Sequence, residues 1–387
     1  MNTTSRGGEL PSEWAAGIGG HRSRAQPRRR MSDPGELQQL VRELVAAGAP
    51  GAAARIEDER GVEQVASGVA DLRTGRAMLP DLHFRAGSVT KSFVATVVLQ
   101  LVADGKLSLS DPVDRWLPGV LSYGDQINVR QLLNHTSGVP HNAPILWRSL
   151  YGSPDGRFRT WTPRAQIALV ADLPPLFPAG TAWAYTNVGY TLLGLIIEAA
   201  TGTRLGTQLS RRIFRPLGLR DTSFPVAGTG IPGPMSRGYS LPLTPKLDVT
   251  DGPLIDFTAQ NPTYAWAAGA LISSLRDLEH YFRALLGGEL LPARLLSEML
   301  TTVAVPRASL PLPLFDRNGL GIIETDTPAG PLVGAAGGIP GFLTVILSTP
   351  DGRRQLGVMI NIGDRAPGPV VEAFLRTLRT LGLRLRS

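Results

Sequence analysis

Phe84-Arg-Ala-Gly-Ser-Val-Thr-Lys-Ser-Phe93 is the stretch on which the reading of this chain turns. From Ser88 to Ala103 the residues are apolar around most of a helical circumference, and Asp104-Gly105 ends the run. The pattern predicts a buried helix with a glycine stop. Residues three apart share a helix face, so Ser88 and Lys91 come within hydrogen-bonding reach without help from the rest of the fold. Serine is a weak nucleophile at its free pKa, whereas a lysine among apolar neighbours such as Val89 and Phe93 has its charged form disfavoured, so the two read as nucleophile and base. Gly87 permits a tight strand-to-helix turn, and the first N–H groups of the helix, that of Ser88 among them, point at an oxyanion forming over Ser88. By itself Ser-x-x-Lys is weak evidence, because such a tetrapeptide arises by chance and most helical lysines are solvated.

A second element strengthens it. Phe177-Pro-Ala-Gly-Thr-Ala-Trp-Ala-Tyr-Thr-Asn-Val-Gly-Tyr190 contains Tyr185, able to relay a proton to or from a Ser–Lys pair, and Asn187, whose amide orients a substrate carbonyl or the lysine. Around these elements, Gly35–Ala47 carries Leu37, Leu40, Val41 and Leu44 at helical spacing. Ala52–Ile56 and Val62–Val69 read as strands joined by a polar turn. Helical patterns follow at 129–134, 163–170, 190–200, 206–214 and 274–286. Strands return at 319–324, 342–348 and 355–362, and a helix closes the chain at 370–381. The expected architecture is of the α/β type, an α+β sandwich: an antiparallel sheet built from both chain ends, flanked by helices, with a mainly helical domain inserted. The expected division is a basic disordered tail at 1–30, an α/β domain formed by 31–85 and 270–387, and a helical domain at 86–269.

The 387 residues are 43% hydrophobic, ample for a sizeable core. The absence of Cys removes disulfides, thiolate nucleophiles and cysteine-based metal sites. None of the five His sit at the i, i+4 spacing of a zinc helix, so neither a metal nor a cofactor is expected. The net charge of +7 is concentrated in the tail, where six Arg face two Glu. Such a tail reads as a solvated extension, not a nucleic-acid partner site. Polar residues after Met31 do not fit a signal peptide, and Glu198 interrupts the longest apolar stretch, so the expected location is cytoplasmic, without a membrane partner. Met31 is an equally good start, which would make the tail incidental.

The ordered set Phe84–Phe93, Gly105-Lys-Leu-Ser-Leu-Ser-Asp-Pro-Val113, Gln131-Leu-Leu-Asn-His-Thr-Ser-Gly138, the Tyr185 segment, Arg215-Pro-Leu-Gly-Leu-Arg-Asp-Thr222 and Gly337-Gly-Ile-Pro-Gly-Phe342 resembles the serine β-lactamase and penicillin-binding-protein superfamily, class C-like branch, over about residues 36–380. That branch also holds family VIII carboxylesterases, D-aminopeptidases, D-alanyl-D-alanine carboxypeptidases and acyltransferases. The resemblance implies that Ser88 forms an acyl-enzyme, that Lys91 and Tyr185 handle its proton, and that Asn187 and Gly337 bind substrate. It also implies that backbone N–H groups of Ser88 and Gly338 form the oxyanion hole. It implies a structural part for His135. Trp147, Trp161, Trp183 and Trp266 are either cleft or core residues.

One motif departs from pattern. Members usually carry Lys, His or sometimes Trp two residues before the glycine aligned with Gly337, and here that residue is Ala335. A cation there would bind a substrate carboxylate, and no Lys, Arg or His occurs between Asp326 and Arg353. The expected substrate is therefore a small uncharged ester, thioester or amide, hydrolysed through acyl-Ser88. A transacylase passing the acyl group to an amine or alcohol shares the same first half. A D-alanyl carboxypeptidase, a β-lactamase and a non-catalytic binding protein are the lesser alternatives.

Overall fold

The computed structural model describes residues 35–244, 248–250, 252–306, 315–328, 330–363 and 366–385, so the basic segment 1–30 lies outside the described residues. In chain order the strands are β1 (Gly51–Asp58), β2 (Gly61–Asp71), β3 (Arg76–Ala77), β4 (Phe84–Arg85), β5 (Tyr239–Ser240), β6 (Ile255–Asp256) and β7 (Ile272–Ser273), then β8 (Val303–Ala304), β9 (Arg317–Asn318), β10 (Ile323–Thr325), β11 (Leu332–Ile339), β12 (Phe342–Ser348) and β13 (Gln355–Ile360). Among the described residues, nine of them form one sheet in the order β3-β2-β1-β13-β12-β11-β10-β9-β8. The two ends of the chain meet inside it, at its third and fourth strands, where β1 runs antiparallel to β13 with Ala52 opposite Ile360. This is the sheet expected from both ends of the chain.

Each face of the sheet buries its own core. On one face, the helices Gly35–Ala46 and Gly368–Arg384 bring Leu37, Leu44, Phe374 and Leu381 against Ala52, Val345 and Val358. On the other, the helical block packs through Phe93, Val97, Tyr190, Leu193 and Phe282 against Ala53, Ile346 and Met359. The helix Thr90–Ala103 lies inside this second core. Lys91, Ser92 and Thr96 are buried along with its apolar residues as far as Leu101, so it reaches solvent only at its last turn. That agrees with a pattern apolar nearly all round.

The strand expected at 319–324 opens with a turn instead. Residues 319–322 do not run extended, and of this stretch Ile323 and Glu324 lie in a strand. β9 stops at Asn318 and β10 starts at Ile323, and between them Gly319 N donates to Ile322 O at 2.9 Å. Gly321 takes φ +80°, and a Cβ there would come within 2.3 Å of Ala95 Cβ, so the turn docks tightly on the Ser88 helix. Ser92 Oγ donates to Gly321 O at 2.6 Å and fastens the contact. The two helices Ala143–Tyr151 and Ala293–Leu300 were not anticipated.

The strand that leads into the nucleophile is anchored by a buried cation. Arg85 is 1% exposed, and its Nη2 donates to the carbonyls of Thr229 at 2.6 Å, Thr258 at 3.1 Å and Gln260 at 3.2 Å. Burial brings its pKa down to about 10. Arg85→Leu leaves these carbonyls without their donor. The expected loss is about 3 kcal/mol of unfolding free energy, read from the urea midpoint. A loss under about 1 kcal/mol would show that the loops need no such tie.

Candidate active site

Gly87–Val89 forms a single 3₁₀ turn that runs straight into the helix Thr90–Ala103. Gly87 has φ +53°, in the left-handed region open to glycine, so β4 turns sharply and presents Ser88 at the head of the helix. The opposite wall is β11. Its pairing with β10 ends at Gly334, and the stretch beyond runs past the Ser88 turn. A Cβ on Gly337 would lie 2.0 Å from Ala86 O and 3.2 Å from Ser88 N, so only glycine lets the two backbones approach this closely.

Ser88, Lys91, Tyr185 and Asn187 come together as the sequence expects. Ser88 Oγ is 2.6 Å from Tyr185 OH and 3.0 Å from Lys91 Nζ. Lys91 Nζ also donates to Asn187 Oδ1 at 2.9 Å and to Ala268 O at 2.7 Å. Lys91 is 4% exposed, and burial drives its pKa well below the usual lysine value. A neutral amine has two N–H donors and one lone pair. With both donors committed to Asn187 and Ala268, the lone pair is left for the Ser88 hydroxyl, which is the arrangement of a general base. The rings of Tyr185 and Tyr190, 4.8 and 5.5 Å from Nζ, complete an apolar wall around the amine.

The segment 184–187 is held from behind by the loop 135–141. His135 takes φ +64°, its carbonyl accepts from Ala184 N at 3.0 Å, and its Nδ1 accepts from Thr186 N at 3.3 Å. It is 2% exposed, and burial with the nearby Lys91 drives its pKa well down. It therefore stands as a neutral acceptor behind Tyr185, its ring 4.6 Å from that of Tyr185, with no hydrogen bond to Ser88 among the described contacts. His141, which the sequence alone did not single out, accepts in the same way from Asn187 N at 3.3 Å.

Two small clefts flank Ser88. One, of about 40 Å³, is lined by Lys91, Tyr185, Phe315, Ile322, Ile323 and Ala335 among others, and the other, of about 50 Å³, by Leu146, Trp147, Asn187, Tyr264, Gly338 and Ile339. Gly337 lines neither; it sits beneath Ser88 as the close contact just described, while Gly338 faces the second cleft. Ala335 is 4% exposed and puts a methyl group on the cleft wall at the position where family members usually carry Lys, His or Trp. Of Trp147, Trp161, Trp183 and Trp266, the first lines a cleft. Trp161 and Trp266 are core residues, and Trp183 lies edge-on to His135 and Phe315. Among the described residues no group of three or more His, Asp or Glu is placed to hold a metal ion, and no helix is long and apolar enough to cross a membrane.

Comparison with known proteins places the fold and the family. The D-stereospecific amidohydrolase from Streptomyces sp. superposes with a TM-score of 0.79 at 36% identity, over 91% of this chain and 99% of that one. The D-amino acid amidase from Ochrobactrum anthropi SV3 superposes with a TM-score of 0.78 at 29% identity, over 91% of this chain and 99% of its own. Among curated sequences, esterase EstB from Burkholderia gladioli is 38% identical over 41% of this chain and 43% of its own length. Penicillin-binding protein 4 from Amycolatopsis lactamdurans is 33% identical over 45% and 44%. The chain thus spans less than half the length of these curated relatives in the aligned stretches. The family described as Beta-lactamase matches residues 37–380, nearly the whole chain, and the chain belongs to that family.

Proposed function

We propose that this protein hydrolyses an uncharged ester or amide through an acyl-Ser88 intermediate. The observation that carries the reading is the hydrogen-bonded set of Ser88, Tyr185 and a buried Lys91 whose contacts contain no carboxylate. In the forward half-reaction, neutral Lys91 takes the Ser88 proton as Oγ adds to the substrate carbonyl. The oxyanion is received by the N–H groups of Ser88 and Gly338, and Tyr185 passes a proton to the departing alcohol or amine. Asn187 Oδ1 holds Lys91, which leaves its Nδ2 as donor to a carbonyl of the acyl group. Water then attacks the acyl-enzyme by the reverse of these transfers. An amine or alcohol entering in place of water would turn hydrolysis into transfer without altering the first half.

Two features support an uncharged substrate. Ala335 presents only a methyl group, and the basic side chains in the described walls of the two clefts are Lys91 and His135, whose charged forms burial disfavours. A carboxylate entering either cleft would lose its hydration without a cation to replace it. The expected result is that a neutral p-nitrophenyl ester exceeds its carboxylate-bearing analogue in kcat/KM by at least about tenfold, a gap of about 1.4 kcal/mol. Ala335→Lys should narrow that gap by improving the charged analogue. Equal or better turnover of the carboxylate substrate by the unaltered protein would overturn the uncharged-substrate reading.

A further inference from the structure

We propose that His141 is a positioning residue for the proton relay: a neutral acceptor that fixes the start of the helix bearing Asn187 without placing an anion beside Lys91. The inference rests on the acyl-Ser88 reading. The helix Asn187–Thr201 is capped by Thr186, and its first N–H groups have no partners within the helix. Three of the N–H groups at this end are met locally: Thr186 N by His135 Nδ1 at 3.3 Å, Asn187 N by His141 Nδ1 at 3.3 Å, and Val188 N by Thr186 Oγ1 at 3.2 Å. The ring of His141 also stands edge-on to Tyr185, centroids 5.8 Å apart at 81°. His141 therefore touches both neighbours of Ser88 and Lys91, the Asn187 backbone directly and the Tyr185 ring by its edge.

Helix starts usually take acceptors from Ser, Thr, Asn or Asp. An aspartate here would satisfy the same N–H, but its charge would favour the ammonium form of Lys91 and oppose the lone pair that Ser88 needs. A neutral imidazole supplies the acceptor and leaves the base alone. The groups facing His141 are Lys91, His135 and Tyr185. Burial and then Lys91 hold the pKa of His141 down to about 4, so the ring stays an acceptor through the neutral range.

Three variants test this: His141→Asn, which keeps a neutral acceptor; His141→Asp, which keeps an acceptor but charges it; and His141→Leu, which removes it. Each is checked for folding by thermal melting, and its hydrolysis of a neutral p-nitrophenyl ester is followed from pH 5 to 10. The expected kcat of His141→Asn is within about threefold of the unaltered protein, and that of His141→Leu falls about 10- to 100-fold with KM little changed. For His141→Asp, the acid limb of the profile should move upward by about one pH unit or more, which neither of the others shows. The proposal is overturned if His141→Leu matches the unaltered protein, if His141→Asn is as impaired as His141→Leu, or if His141→Asp leaves the acid limb in place. Should His141→Leu fail to fold, the Asn and Asp pair still decides. Fluorophosphonate labelling of Ser88 in the unaltered protein separates the two readings. An unlabelled Ser88 removes the acyl-enzyme and this inference with it, whereas labelling and turnover with indifferent His141 variants remove this inference alone.

Discussion

Ser88→Ala is expected to lower ester turnover by about a hundred-thousand-fold or more and to abolish covalent labelling by a fluorophosphonate. The expectation follows from geometry. Ser88 Oγ is the atom on which Lys91 Nζ and Tyr185 OH converge, at 3.0 and 2.6 Å, and no second hydroxyl of the described site receives both. Deleting one oxygen leaves the fold and clefts in place, so the melting temperature should change little while chemistry stops. Intact-protein mass spectrometry provides the check. An adduct that persists in Ser88→Ala, or turnover within about tenfold of the unaltered protein, would move the nucleophile elsewhere.

Lys91→Met should cost the acylation step about a thousandfold, the middle of the range for loss of a positioned general base. Its effect has a pH signature. In the folded protein the Lys91 pKa lies well below the usual lysine value, because burial penalises the charge, whereas in the unfolded chain it returns to about 10.4. The amine is neutral and competent above the folded pKa, so activity rises with pH through that value and is lost below it. Stability follows the same direction. Between the folded pKa and about 10.4 the unfolded chain binds a proton that the native state does not, so stability rises with pH across this window and falls on acidification. Lys91→Met removes this dependence, and urea midpoints measured from pH 7 to 10 should vary less in the variant. A slope equal in both proteins would mean that Lys91 is protonated in the native state and is not the base.

Several features of the site are legible along the chain because they are local. The i, i+3 spacing of Ser88 and Lys91 needs only a helix to bring the side chains together, and the apolar run to Ala103 foretells a buried one. Tyr185 and Asn187 share one short segment, so a single placement positions both. The turn at Gly319–Ile322 reads as strand in the sequence because its Leu and Ile suit an extended chain. The deciding factor was Gly321 closing onto Ala95, a contact between segments far apart in sequence. Ala268, whose carbonyl holds Lys91, carries no side-chain chemistry by which it could have been noticed. His141 looked like one of five scattered histidines until the loop following His135 folded back beneath Asn187.

The division between the two kinds of information is therefore one of range. The chemistry of nucleophile and base, the lack of a cation at Ala335 and the pairing of strands from both chain ends are written in residue types, short spacings and hydrophobic period, which act over one or two helical turns or along a strand. The state of Lys91 is not. Its neutrality depends on burial by Tyr185, Tyr190 and the Ala268 carbonyl, and on two histidines that accept backbone N–H groups without adding charge. Desolvation and electrostatics sum over everything within several ångströms, whatever its place in the chain, so the tertiary structure alone decides whether Ser88 meets an ammonium or a base.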